Sequence, residues 1–116
     1  MTRHFLSTTD LSSDEQAQVL DRARASIASL GEPLAGKGVA LIFEKPSART
    51  RHSTEMAVVQ LGGHPVTTRA DEVGLDVRES VEDVTLTMAQ YHAVLCARVF
   101  DHGSLERMAG LNALPV

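Results

Sequence analysis

The chain has 116 residues, a length typical of one domain, and its 43% hydrophobic and 22% charged residues are ordinary for a globular protein. A formal net charge of −4 and an aromatic content of 3% argue against a nucleic-acid partner, which requires a basic face or stacking platforms. No apolar run is long enough to cross a membrane and the N-terminus turns polar too early for a signal peptide, so we expect a cytoplasmic protein without a membrane partner.

The first predicted element is a helix over residues 14–30. Ser12 and Glu15 have the spacing of a capping box at its start. The apolar residues that recur at three- and four-residue steps on one face are Leu20, Ala23, Ile27 and Leu30. Gly31, Pro33 and Gly36 then break the pattern.

A strand and a second helix follow. Residues 39–43 form a continuous apolar run, which is typical of a strand buried on both faces. Pro46 ends the run, and Ser47 is placed to cap a helix that reaches about Leu61. Because glycine readily adopts the backbone that ends helices, the Gly62-Gly63 pair predicts the helix end.

The alternation continues in the second half of the chain. Residues 65–68 predict a short strand, and residues 69–78 a polar loop that contains Gly74. A third helix opens at Ser80 and Asp83. Its apolar stripe, which we expect in the core, consists of Val81, Val84, Met88 and Tyr91.

Two strand patterns and a short helix complete the sequence. Residues 93–100 give the clearest strand prediction, and Cys96 within this run is expected to be a small core residue. A short helix is predicted over residues 104–109, and residues 113–116 predict the beginning of another buried strand. Because the pattern stops there, we expect more protein downstream.

The order of these elements predicts an α/β fold. Helices that alternate with apolar strands indicate a three-layer domain with a central parallel sheet and helices on both faces. We expect residues 1–116 to form a single domain.

The segment FEKPSARTR, residues 43–51, combines three cations with two hydroxyls where the first strand ends and a helix begins. Ligands of open α/β sheets bind at the carboxyl ends of strands, and the free N–H groups of a helix start attract anions. The sequence therefore predicts a phosphate or carboxylate site at residues 47–50. The alternative is that Ser47 is an ordinary N-cap and the arginines form a solvated surface. The N-terminus of a helix normally disfavours cations, so the cations at the start of this helix favour the interpretation as an anion site.

This segment, followed by EMAVVQLGGH, resembles the carbamoyl-phosphate-binding half of the aspartate and ornithine carbamoyltransferases. Their usual pattern is F-x-x-x-S-T-R-T-R with a helix that ends in L-G-G. Residues 74–84, GLDVRESVEDV, and residues 97–100, ARVF, are similar to two further segments of that family. The Lys45-Pro46 pair is closer to the ornithine enzymes.

The resemblance implies roles for single residues. Residues 47–50 would wrap the phosphate of carbamoyl phosphate, with Ala48 contributing its backbone N–H because the usual threonine is absent. Thr50 and Arg98 would act on the carbonyl oxygen as the catalytic pair, and Arg98 would also reach the phosphate. The implied carbamoyl-phosphate ligands are Ser47, Ala48, Arg49, Thr50 and Arg98, with Gly74 as a further candidate and Arg51 in support. Neither a metal nor a cofactor is implied. The alternative for Arg98 is a structural carboxylate, for which Glu55, Glu79 and Glu82 are candidates.

The resemblance further implies an ornithine carbamoyltransferase of arginine biosynthesis that acts as a homotrimer. Ornithine would bind to an amino-acid-binding domain that these 116 residues lack. We therefore expect the isolated chain to bind carbamoyl phosphate weakly and not to turn over. Aspartate or another amine as acceptor remains an alternative. A second is a degenerate, non-catalytic anion-binding or assembly module, since Ala48, Gly74 and Asp76 depart from the family pattern.

Overall fold

Helices and parallel strands alternate along residues 2–116, the part of the chain that the computed structural model describes. The helices are α1 (Ser13–Arg24), α2 (Ala48–Gln60), α3 (Ala70–Val73), α4 (Val81–Tyr91) and α5 (His102–Gly110). The strands are β1 (Gly38–Phe43), β2 (His64–Arg69) and β3 (His92–Arg98). Short 3₁₀ turns cover Thr8–Asp10 and Ile27–Leu30.

The three strands form one parallel sheet in the order β2-β1-β3. The central strand β1 pairs with both neighbours over its full length, so that Phe43 lies opposite Arg69 on one side and Arg98 on the other. A central position buries both faces of a strand, which explains why β1 is a continuous apolar run.

Alternate residues of β1 point to opposite faces, and each face is covered by helices. Val39, Leu41 and Phe43 pack with Val58 of α2 on one face. Ala40 and Ile42 belong to the larger cluster on the other face. In that cluster they are joined by Val73, Leu75, Val81, Val84, Leu95, Met108 and Leu114. The prediction of a three-layer α/β domain with helices on both faces of a parallel sheet is therefore confirmed.

Helix α2 ends where the glycine pair predicted. Gly62 has a φ of 88°, which is the left-handed region that glycine reaches without strain. The N–H of Gly63 donates to the carbonyl of Val58 at 2.9 Å, and that of Gly62 to Val59 at 3.0 Å. These two bonds are the Schellman arrangement that satisfies the last carbonyls of a helix.

Helix α1 differs from its prediction. The capping box is confirmed, since Glu15 N–H donates to Ser12 Oγ and Ser12 N–H to the Glu15 carboxylate. The helix nevertheless ends at Arg24, and a 3₁₀ turn replaces its last part, so the prediction of one helix to residue 30 was wrong. Leu20 and Ile27 are exposed by 59% and 50%, because no described part of the chain buries that face. Without burial, a helix gains little from lengthening.

Three further predictions about burial and extent were wrong. Tyr91 is 76% exposed although it lies two turns after Val84 on the same face, because it is the last residue of α4 and the burial of that face ends before it. Cys96 is exposed, since Leu95 occupies the buried side of β3 and successive strand residues alternate. The strand itself ends at Arg98 rather than at residue 100.

A loop prediction and a strand prediction were also wrong. Residues 69–78 are not one loop, because Arg69 completes β2 and α3 follows directly. Residues 113–116 form no strand, although they lie beside β3. The carbonyl of Pro115 accepts from Leu95 N–H at 2.9 Å and that of Val116 from Phe5 N–H at 2.8 Å.

Among residues 2–116, no helix has both the length and the apolar character needed to span a bilayer.

Candidate oxyanion site at the ends of β1 and β3

Two connections meet at the carboxyl edge of the sheet. Phe43, the last residue of β1, lies opposite Arg98, the last residue of β3. The N–H of Glu44 extends the ladder by donating to the carbonyl of Arg98 at 2.9 Å. The segment that leads into α2 and the side chain of Arg98 therefore share one edge, which is where open α/β sheets bind ligands.

The N-terminus of α2 lacks a side-chain cap. Ser47 occupies the N-cap position with extended backbone, but its hydroxyl makes no capping bond. Helices α1, α4 and α5, in contrast, each carry a side-chain cap. The first turn of α2 also holds no acidic residue. Its first N–H groups and the positive end of the helix dipole are therefore available to an external anion.

The hydroxyl of Ser47 turns to Thr50 instead. Ser47 Oγ donates to Thr50 Oγ1 at 2.9 Å. From β3, Nη1 of Arg98 donates to the same Thr50 oxygen at 3.3 Å. A hydroxyl oxygen accepts through two lone pairs, so both are engaged and the Thr50 proton is free to point away from the protein. Donors that polarise a hydroxyl in this way strengthen the bond that it donates.

Arg98 has no carboxylate partner among the described residues. Of the carboxylates considered for it, Glu55 pairs with Arg51 and Glu82 pairs with Arg107. No ion pair joins Arg98 to any acidic side chain of residues 2–116. The structural alternative to a ligand contact is thus not realised in this structure.

Arg49 and Arg51 differ in their surroundings although they stand two residues apart. Arg51 Nε lies 3.1 Å from Oε1 of Glu55 on the next turn of α2. Glu55 also accepts a hydrogen bond from the Thr67 hydroxyl on β2. The hydrogen bond from Thr67 and, to a smaller extent, that from Arg51 lower the pKa of the Glu55 carboxyl group. The Arg49 side chain is exposed and forms no ion pair within residues 2–116. Glu55 therefore joins α2 to β2 and neutralises Arg51, while the charge of Arg49 faces solvent.

Gly74 lies apart from this group. It follows α3 with a φ of 49°, and its carbonyl accepts from Val77 N–H at 2.9 Å and Arg78 N–H at 2.8 Å. A Cβ at this position would meet Arg78 Cγ at 2.7 Å, so the turn requires glycine. None of the contacts that join Ser47, Thr50 and Arg98 involves Gly74.

Asp76, in the same turn, has a φ of 58°, an unusual value for a residue with a Cβ. Its carboxylate accepts from Val81 N–H at 3.2 Å and from Arg107 Nη1 at 2.6 Å. Arg107 also binds Glu82 at 2.6 Å. The turn after α3 is thereby fastened to α4 and α5.

A cavity of about 490 Å³ lies beside the site, between the ends of β1 and β2. Ser47 and Ala48 line it, together with Arg51 and Thr67, but Thr50 and Arg98 do not. Thr50 and Arg98, which are both exposed, thus lie at the surface next to this cavity. An anion held by them would occupy that surface with Ser47 at its border.

Sequence reasoning missed a contact that crosses the site. Oε1 of Glu44 accepts from the Phe100 N–H at 3.3 Å. Lys45 Nζ lies 5.6 Å from the centre of the Phe100 ring, within the range of a cation–π contact. The sequence signal was the position of Glu44 and Lys45 directly after a buried strand, but nothing in it indicated Phe100 as the partner.

The fold defines the chain as a parallel α/β domain, and the strand-end group is its candidate anion site. A sequence model described as "Aspartate/ornithine carbamoyltransferase, carbamoyl-P binding domain" matches residues 3–116. The chain therefore belongs to the aspartate/ornithine carbamoyltransferase family and corresponds to its carbamoyl-phosphate-binding domain.

Relatives in this family agree with that assignment. The ornithine carbamoyltransferase of Parafrankia sp. is 42% identical over 120 residues, which cover 98% of this chain and 38% of that protein. The enzyme of Hyperthermus butylicus is 45% identical with the same coverage. The crystal structure of the mitochondrial ornithine carbamoyltransferase of Coccidioides immitis superposes with a TM-score of 0.87 at 34% identity, covering all of this chain and 39% of that one. The chain thus spans about two fifths of the length of these relatives.

Proposed function

We propose that this chain is the carbamoyl-phosphate-binding part of an ornithine carbamoyltransferase. The reaction transfers the carbamoyl group from carbamoyl phosphate to the side-chain amine of ornithine and yields citrulline and phosphate, a step of arginine biosynthesis. The observation that carries the proposal is the Thr50 hydroxyl, which accepts from both Ser47 and Arg98 beside the uncapped start of α2.

The chemistry requires donors at two places. The amine attacks the carbonyl carbon, and the electron pair of the C=O bond moves onto its oxygen. That pair then returns, the bond from carbon to the bridging oxygen breaks, and phosphate leaves with its electrons while the amine loses a proton. Charge therefore grows first on the carbonyl oxygen and then on the phosphate, and donors fixed at both positions lower the barrier.

The residues at the strand ends can divide this work. Thr50 would donate to the carbonyl oxygen, because its proton is free, and Arg98, which already contacts Thr50, would donate to both the carbonyl oxygen and the phosphate. Arg49, Ser47 and the first N–H groups of α2, including that of Ala48, would hold the phosphate. The planar guanidinium of Arg49 suits two phosphate oxygens at once.

The other requirements of the reaction fall to parts of a longer protein. We propose that ornithine binds to a separate amino-acid-binding domain, and that the complete protein is a homotrimer. The coverage of about 38% of the ornithine carbamoyltransferase relatives supports this division, since these 116 residues correspond to one domain of them. We infer that the isolated chain binds carbamoyl phosphate weakly and does not catalyse transfer.

The test is a titration of the isolated chain with carbamoyl phosphate by calorimetry, beside an assay for ornithine-dependent citrulline formation. Arg49→Ala is expected to weaken binding about 10- to 150-fold, because each hydrogen bond to a charged group contributes about 1.5–3 kcal/mol. Arg22→Ala is the matched control, since it removes the same charge from α1.

Two results would contradict the proposal. Equal binding by the Arg49→Ala and Arg22→Ala variants would show that Arg49 is a surface charge. Citrulline formation by the isolated chain would show that the division of work between domains is wrong.

A further inference from the structure

Arg98 depends on its backbone for its position. Its guanidinium makes one hydrogen bond within residues 2–116, to Thr50 at 3.3 Å, and no ion pair. A long side chain held by a single contact retains much rotamer freedom. β3 also ends at Arg98, so the ladder fixes the backbone up to this residue but not beyond it.

Glu44 fixes the backbone on both sides of that point. Its N–H binds the carbonyl of Arg98 at 2.9 Å, and its carboxylate accepts from the N–H of Phe100 at 3.3 Å. Because Glu44 is half-buried at the end of β1, its own position is set by the central strand. One residue thus spans the turn that leaves β3.

Lys45 adds a contact to the same turn. Its ammonium lies 5.6 Å from the centre of the Phe100 ring, which is 69% exposed. An exposed ring in the turn after β3 would otherwise be free to move with solvent. Glu44 therefore contacts the backbone of Phe100, and its neighbour Lys45 contacts the ring.

We propose that Glu44 is a positioning residue that holds the backbone after β3, so that the guanidinium of Arg98 stays at Thr50 and at the bound anion. The inference rests on the proposed function, since it assigns Glu44 to the same anion site. A carboxylate beside a bound phosphate would repel it, so Glu44 would favour binding through the geometry of its hydrogen bond to Phe100 and not through its charge.

The experiment separates the hydrogen bond from the charge with four proteins. Wild type and Glu44→Asp carry the same charge, but aspartate is one methylene too short to reach the Phe100 N–H. Glu44→Gln and Glu44→Ala are both neutral, and only glutamine keeps an acceptor oxygen. Affinity for inorganic phosphate is measured by NMR titration, and urea unfolding of each variant checks the fold.

We expect phosphate to bind about three- to tenfold more tightly to wild type than to Glu44→Asp. We expect the same ratio between Glu44→Gln and Glu44→Ala, with Glu44→Gln binding more tightly. Both ratios should fall to about one when Arg98 is replaced by alanine, because the tether then has no guanidinium to position. A variant that merely loses its fold would show a lower urea midpoint, and its affinity ratio would not depend on whether Arg98 is present. Asp21→Ala, which removes a carboxylate of α1, should leave phosphate affinity unchanged.

The outcomes distinguish two failures. If Arg98→Ala binds phosphate as tightly as wild type, the proposed function fails and the positioning role fails with it. If Arg98→Ala weakens binding but the two Glu44 ratios equal one, or persist without Arg98, the proposed function stands and the role of Glu44 is overturned.

Discussion

Replacing Thr50 by valine tests whether its hydroxyl serves the carbonyl oxygen rather than the phosphate. Valine keeps the branched shape of threonine and removes only the hydroxyl. In the structure that oxygen accepts from Ser47 at 2.9 Å and from Arg98 at 3.3 Å, which leaves its proton for a ligand. Because Thr50 is exposed, water can replace it as an acceptor for both donors.

The magnitudes follow from this geometry. The free energy of unfolding should change by less than about 1 kcal/mol, since no buried donor loses its partner. A neutral hydrogen bond to the carbonyl oxygen contributes about 0.5–1.5 kcal/mol, so carbamoyl phosphate should bind about 2- to 13-fold more weakly. Inorganic phosphate has no carbonyl group, and its affinity should change by less than a factor of about two.

The assay is a pair of titrations, with carbamoyl phosphate and with inorganic phosphate, on wild type and on Thr50→Val. Thr50→Ser is the control, because serine restores the hydroxyl without the methyl group and should recover binding. An equal loss of affinity for both ligands would refute the reasoning, since the hydroxyl would then contact the phosphate.

Two further predictions concern the framework of the site. Met108 of α5 is fully buried against the sheet, so Met108→Ala should destabilise the fold by about 2–5 kcal/mol in urea unfolding, whereas Val77→Ala, at an 88% exposed position, should change stability by less than about 0.5 kcal/mol. Similar urea midpoints for both variants would contradict the packing described here. Arg107 lowers the pKa of the Asp76 and Glu82 carboxyl groups through its hydrogen bonds to them. The stability that it contributes is therefore complete above their ordinary values near pH 4 and is lost as the pH falls through the lowered ones. Wild type should thus lose more stability than Arg107→Gln between pH 6 and pH 3, and equal losses would count against the network.

Local signals predicted most of the fold. The Ser12–Glu15 capping box and the end of α2 at the glycine pair depend on residues close in sequence, so both were readable without the structure. The burial of β1 on both faces followed from its unbroken apolar run. Each of these features depends on residues that are close in sequence, which is why the hydrophobic pattern and residue propensities were enough to predict them.

The errors have a tertiary cause. The face of α1 that carries Leu20 is apolar, yet none of the residues of α1 is buried, so periodicity predicted burial that the described part of the chain does not provide. Tyr91 continues the stripe of α4 but is the last residue of the helix and is 76% exposed. The contact from Glu44 to Phe100 joins residues 56 positions apart, and no local pattern reports such a pair.

The two arginines of the strand-end segment show how one carboxylate separates similar residues into different roles. Cations at the start of a helix oppose its dipole, and an anion nearby offsets this unfavourable interaction. Arg51 has one in Glu55, four residues later on the same face of α2. Arg49 stands on another face, where no described carboxylate is within salt-bridge distance. An unneutralised guanidinium beside free N–H groups concentrates positive potential in a protein of net charge −4. We propose that an external oxyanion is the partner that relieves it, which would account for the cations in FEKPSARTR better than a solvated surface does.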